Sequence, residues 1–178
     1  PQDGWIAVRA RRHPDLSWTN RGACGASLSH ILDSLSSFPA RHDKEKILFV
    51  MGGTNDILSG VRMSVLQSLV RSAVRRAGPD ASRLVLGIPP LTLRSSILSG
   101  WQEEWQYEDT NRSLEEYGEF LRDTVASAGC PVINFQQAFL HASDALYDDG
   151  VHPNAAGYRL FAETAEPVLC PFPAKRKD

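Results

Sequence analysis

The chain has 178 residues, 42% of them hydrophobic, and nearly balances 19 basic against 21 acidic side chains, a composition that points to one water-soluble globular domain. A formal net charge of −2 offers no basic surface to nucleic acid, and no apolar run approaches the roughly 20 residues that span a bilayer. Three cysteines, Cys24, Cys130 and Cys170, lack CxxC spacing and argue against structural zinc or a disulfide framework, leaving one bridge between Cys130 and Cys170 open.

A chain of this length buries a core without metal or disulfide support, so no cofactor is expected. The first residue is Pro1 rather than methionine. The absence of a signal peptide therefore carries no meaning, and the compartment stays open.

In chain order, "LSWTN" at 16–20 is a weak strand candidate. Leu28, Ile31, Leu32 and Leu35 make an apolar stripe of helical period,. "KILFV" ending at Val50 is short, apolar and bounded by polar residues, which reads as a buried parallel strand. Val61, Val65, Leu66, Leu69, Ala73 and Ala77 mark a second helix, stopped by Gly78 and Pro79,.

"RLVLGI" ending at Ile88 and "PVINF" ending at Phe135 are further buried strands,. Between them lies a long connection, 89–109, holding Trp101 and Trp105. These tryptophans read as packing for a short helix, with a substrate lid as the alternative.

A helix is expected over about 112–128, with Ser113 and Glu116 at capping-box spacing and Leu114, Tyr117, Leu121 and Val125 facing inward,. Asn154 suits the cap of a last helix carrying Tyr158, Phe161 and Ala165, which Pro167 should end,. Strands separated by helices imply right-handed βαβ units and a three-layer α/β/α domain. The domain is expected to occupy residues 1–168, with 169–178 as a tail whose basic run "KRK" is solvated,.

In such sheets ligands bind beyond the carboxyl ends of the strands. "MGGTND" (51–56) follows the first predicted strand. Its glycines permit a sharp turn, and Asn55 presents a neutral amide suited to a developing oxyanion, although a plain Asn/Asp turn explains the same residues. "RGACGAS" (21–27) follows "LSWTN" and leads into a helix, whose outward N–H groups favour negative charge; taken alone, a plain strand-to-helix turn is the simpler explanation.

"DGVHPNAAGY" (149–158) sets Asp149 three residues before His152. The carboxylate can hold one imidazole nitrogen and leave the other for a nucleophile. His13, His30, His42 and His141 show no metal-ligand spacing and read as exposed or helix-face residues.

These three blocks, in this order, resemble blocks II, III and V of the SGNH (GDSL-type) hydrolases, over most of the chain. The resemblance implies a flavodoxin-like α/β/α fold and metal-free hydrolysis of esters or thioesters through an acyl-serine. It implies His152 as general base, Asp149 as its orienting carboxylate, and Gly25 N–H with the Asn55 amide as the oxyanion hole. Lipid esters, acetylated sugars and small thioesters are the implied substrates.

The family's GDS block, with its serine, has no counterpart before Gly25. In the flavodoxin-like order 2-1-3-4-5 the first strand lies inside the sheet, so its loss would leave a cleft. The serine is accordingly expected upstream of Pro1, in a longer protein, and the chain by itself is expected to be inactive. The rival reading is a noncatalytic SGNH-like binding domain. Attack by Cys24 is a further rival, disfavoured because a small cysteine in a buried turn is usually packing. Ser27, Ser95 and Ser96 read as capping or loop hydroxyls.

Overall fold

The computed structural model describes residues 4–33, 46–78, 83–125, 127–141 and 143–170. Its sheet has three parallel strands in the order β1-β2-β3: β1 Leu48–Val50, β2 Leu84–Ile88 and β3 Val132–Asn134. Leu48 pairs with Leu84 across the first junction, and Leu86 with Val132 across the second. Each strand lies within an apolar run read from the sequence. Phe135, the last residue of the third run, instead opens helix α7, Phe135–Ala138, because Asn134 caps that helix by accepting from Gln137 N–H at 2.9 Å,.

The sheet is covered on both faces, and the alternation of side chains along β2 explains how. Leu84, Leu86 and Ile88 join one apolar cluster with α2 (Leu28–Asp33), α4 (Met63–Ala77) and α6 (Tyr107–Phe120). Val85 points the other way, into a cluster that includes Ile133, Phe135 and Phe161. That second layer is built by α1 (Trp5–Arg12), α7 and α8 (Ala155–Leu169), with Phe135 and Phe161 stacked at 4.3 Å. The result is the expected three-layer α/β/α arrangement. Its strands are sequential and parallel, and β1 pairs only with β2 among the described residues.

Residues 16–20 form no strand. A strand needs a neighbour to satisfy its backbone, and this stretch instead lays Trp18 on the α1–α8 layer, with its indole N–H 3.4 Å from the His13 carbonyl and Arg9 over its ring,. Val61 precedes α4, and Val65 is 46% exposed because the buried stripe runs through Leu66, Val70, Ala73 and Ala77,. Leu35, His42 and Pro79 lie outside the described residues.

Helix α6 begins earlier than its Ser113–Glu116 spacing suggests. A 3-10 turn, Glu104–Gln106, leads into it, and the reciprocal capping box is formed by Glu103 and Gln106,. The predicted inner face is correct: Leu114, Tyr117, Leu121 and Val125 are all buried, the last two on a π-turn that continues the helix.

Asn154 caps α8, accepting from Ala156 and Gly157 N–H at 2.9 and 3.2 Å. Pro167 does not end that helix, which continues to Leu169. Proline removes one donor, but the last turn is held by packing on α1, by the ion pair of Glu166 with Arg9 and by its hydrogen bond with His13,. No helix among the described residues is long and apolar enough to cross a membrane.

Cys130 sits in one core layer and Cys170 at the margin of the other, and all three cysteines are free thiols. Burial pushes the Cys130 thiol up. Cys24 is exposed rather than packed in a buried turn.

Candidate active site

The loop before α8 is organised around one carboxylate. Asp149 Oδ1 accepts from the backbone N–H groups of Val151 and His152 at 3.0 and 2.7 Å, and Oδ2 accepts from His152 Nδ1 at 2.8 Å. The indole of Trp101 donates to the same Oδ2 at 2.7 Å. Partial burial by itself would raise the Asp149 carboxyl. The hydrogen bonds from His152, Val151 and Trp101 outweigh it and hold the group at about 2,.

With Nδ1 donating to a carboxylate, Nε2 of the same ring is the acceptor nitrogen of the neutral imidazole. Nε2 has no hydrogen-bond partner among the described residues, and the His152 side chain is 50% exposed. The ring is oriented but not sealed.

Gly150 lets this loop lie flat against the segment after β2. Its φ is +80°, and a Cβ there would stand 2.3 Å from Ser96 N,. Leu93 N–H donates to the Gly150 carbonyl at 2.8 Å, joining the two segments.

The predicted oxyanion residues lie on two other loops. At Gly53 the chain turns off β1 with φ +107°, and a Cβ would meet the Tyr117 ring at 2.8 Å. Helix α3, Thr54–Leu58, follows at once and carries Asn55 in its first turn. Asn55 Nδ2 donates to the Ala26 carbonyl at 3.0 Å, fastening the 21–27 loop to the end of β1. An amide has two N–H donors, so this bond leaves one. Gly25, at φ +67°, is exposed, and its N–H has no acceptor among the described residues.

Asp56, passed over in the sequence, completes this junction. It is buried, and its Oδ2 accepts from Leu28 N–H at 2.8 Å, so a carboxylate from α3 caps α2,. The signal available was an acidic residue beside Asn55 at the start of a helix, but only the fold shows that it reaches a different helix. Burial, and then the charge of Asp56, push the Tyr117 phenol above its ordinary value.

Burial, and then the charges of nearby Asp148 and Asp149, raise the phenol of Tyr158 in the first turn of α8.

Ser27, Ser95 and Ser96, the hydroxyls singled out in the sequence, each have other hydrogen-bond partners. Ser95 donates to Asp144, Ser96 donates to the Leu93 carbonyl, and Ser27 pairs with Ser29 at 2.9 Å. Trp101 is not simple packing, because it contacts both members of the Asp149–His152 pair. Trp105 is 75% exposed.

One cluster has the donor types for a metal. His13, Glu166 and Cys170 offer ligand atoms within 4.8 Å of one another. The fully buried Arg9 guanidinium already contacts both Glu166 and Cys170, and His13 Nε2 donates to Glu166 at 2.7 Å. These are the contacts of an ion-pair network. His13, read from the sequence as exposed or on a helix face, is buried and paired at the C-terminal cap of α1.

Comparison with solved structures places the fold. A protein of the lipolytic G-D-S-L family from Veillonella parvula matches with a TM-score of 0.77 at 22% identity, over 96% of this chain and 90% of the other. The acetylxylan esterase Axe2 from Geobacillus stearothermophilus matches with a TM-score of 0.74 at 19% identity, over 98% and 84%. The acetyl xylan esterase AlAXEase gives 0.75 at 13% identity, over 95% and 92%. No curated protein sequence matches significantly. The family model for the GDSL-like lipases and acylhydrolases covers residues 1–160, nearly the whole described fold, and the chain belongs to that family.

Proposed function

We propose that this chain carries the acid–base and oxyanion parts of a serine esterase site that cleaves carboxylic esters through an acyl-serine intermediate. The observation that carries the reading is the 2.8 Å bond from His152 Nδ1 to Asp149 Oδ2, with Nε2 left outward on a half-exposed ring. An imidazole held in one tautomer by a carboxylate accepts a proton at its other nitrogen and returns it to the leaving group.

In the proposed cycle His152 Nε2 takes the proton of a serine hydroxyl as its oxygen attacks the ester carbonyl. The tetrahedral oxyanion is held by Gly25 N–H and the second N–H of Asn55. Collapse breaks the C–O bond to the alcohol, which leaves with the proton from His152. Water, activated by the same nitrogen, then releases the acid and restores the serine. Asp149 stabilises the imidazolium and keeps its orientation throughout.

The attacking serine is assigned to a strand outside residues 1–178 that would pair with the edge of β1 left without a partner among the described residues. Two observations support this assignment: β1 has no second partner among the described residues, and Ser27, Ser95 and Ser96 each have other hydrogen-bond partners. Acetylated sugars are the first substrates to try, since two of the solved neighbours are acetylxylan esterases.

A fluorophosphonate probe tests the reading on the full-length protein. Labelling of a single serine, lost in His152→Ala, is the expected result. No labelling, together with no turnover of short-chain esters or acetylated xylo-oligosaccharides, would favour a noncatalytic binding domain.

A further inference from the structure

We propose that Trp101 is a positioning residue for the Asp149–His152 pair, fixing both the carboxylate and the imidazole from the segment that follows β2; this rests on the ester-hydrolysis reading above. Asp149 takes three of its four hydrogen bonds from its own loop, and the fourth comes from Trp101 Nε1 at 2.7 Å on the oxygen that also holds His152. The same indole lies edge-on to the His152 ring, with centroids 4.9 Å apart and planes at 61°. A donor to a charged acceptor fixes where Oδ2 sits, and a rigid ring beside the imidazole limits its swing.

The support behind Trp101 is itself built in. Its backbone N–H donates to the Ser96 carbonyl at 2.9 Å. The next residue, Gln102, is buried, and its amide donates to Thr92 Oγ1 at 2.9 Å and to Ser96 Oγ at 2.7 Å. Thr92 is in turn clasped by Asn111 of α6, which accepts from its N–H and hydroxyl at 2.9 and 3.0 Å and donates to its carbonyl at 3.1 Å. A chain of hydrogen bonds thus runs from a core helix to the backbone of Trp101.

An exposed tryptophan of purely apolar function has no need of this anchoring. Trp105, four residues on and 75% exposed, provides the contrast. Groups outside the candidate base often orient it in this way, as second partners of ligating and catalytic histidines do.

The test uses the full-length enzyme and three measurements. Trp101→Phe, which keeps a ring and removes the N–H, should lower kcat by up to about 100-fold with little change in KM, the signature of a misplaced reacting group. Trp105→Phe should leave both constants at their starting values. In proton NMR, the downfield His152 Nδ1–H signal should broaden in Trp101→Phe as that proton exchanges faster with solvent.

Should Trp101→Phe fail to fold, the unmutated protein decides: the Trp101 indole N–H should exchange more slowly than that of Trp105, and equal rates would overturn the proposal. So would a Trp101→Phe enzyme that keeps its kcat and its Nδ1–H signal, or one that loses only KM. If the unmutated enzyme turns over no ester, the hydrolase reading fails by itself, and the NMR measurements still decide the role of Trp101.

Discussion

Among the described residues two histidine–carboxylate pairs have nearly equal length. His13 Nε2 lies 2.7 Å from Glu166, and His152 Nδ1 lies 2.8 Å from Asp149. Distance does not separate them; surroundings do. His13 is 7% exposed, and its carboxylate is shared with the buried Arg9 and with Arg12. The His152 side chain is 50% exposed, its carboxylate is saturated by hydrogen-bond donors, and its second nitrogen faces outward. The first pair ties α1 to α8. The second is arranged so that a proton can arrive at one nitrogen while the other stays fixed.

The sharpest way to break this contrast is to change each carboxylate to its amide. If His152 is the base of the proposed site, Asp149→Asn should lower kcat for ester hydrolysis roughly 10⁴-fold through loss of its orienting charge, whereas Glu166→Gln should leave kcat intact. Equal losses in ester assays of the two variants would show that the pairs are not functionally distinct. Asn55→Ala should lower kcat roughly 100- to 1,000-fold, the scale of one oxyanion donor; an unchanged kcat would remove Asn55 from the proposed site.

Stability should rank the pairs in the opposite order. Glu166→Gln strands the Arg9 guanidinium, and denaturant unfolding should register a loss of roughly 2–4 kcal/mol, towards the low side because Glu166 is 37% exposed,. Gly150→Ala puts a side chain at φ +80° against Ser96, and should cost about 1–3 kcal/mol. A Gly150→Ala protein with unchanged melting would mean that the base loop does not lie against the segment after β2.

The smallest effect is that of pH. The Asp149 carboxyl is held at about 2, below its ordinary 3.8. It therefore contributes stability that is fully present above the ordinary value and is lost as pH falls through about 2. Acid unfolding curves of the unmutated protein and Asp149→Asn should converge across that range. Curves separated by a constant amount at every pH would deny the coupling.

Much of this was legible because it is local. The three strand cores declare themselves as short apolar runs, and the inner face of α6 follows from a period of 3.6. Asn154 caps the helix that begins one residue later. Asp149 and His152 are three residues apart, so a single turn suffices to join them. The failures are long-range in the same measure. Residues 16–20 have strand composition but pair with no strand among the described residues, and the helix stop at Pro167 is overridden by contacts reaching back to α1.

The sequence by itself determined the α/β alternation and the Asp149–His152 couple, since hydrophobic period and turn chemistry act over a few residues. It also set the family, through three short blocks in order. Only the tertiary structure decided which of two histidines is buried in an ion-pair network and that Asp56 caps a helix 28 positions away. It likewise brought Trp101 onto a carboxylate 48 residues further on. Hydrogen bonds between distant segments depend on how the layers pack, and no local pattern encodes that distance.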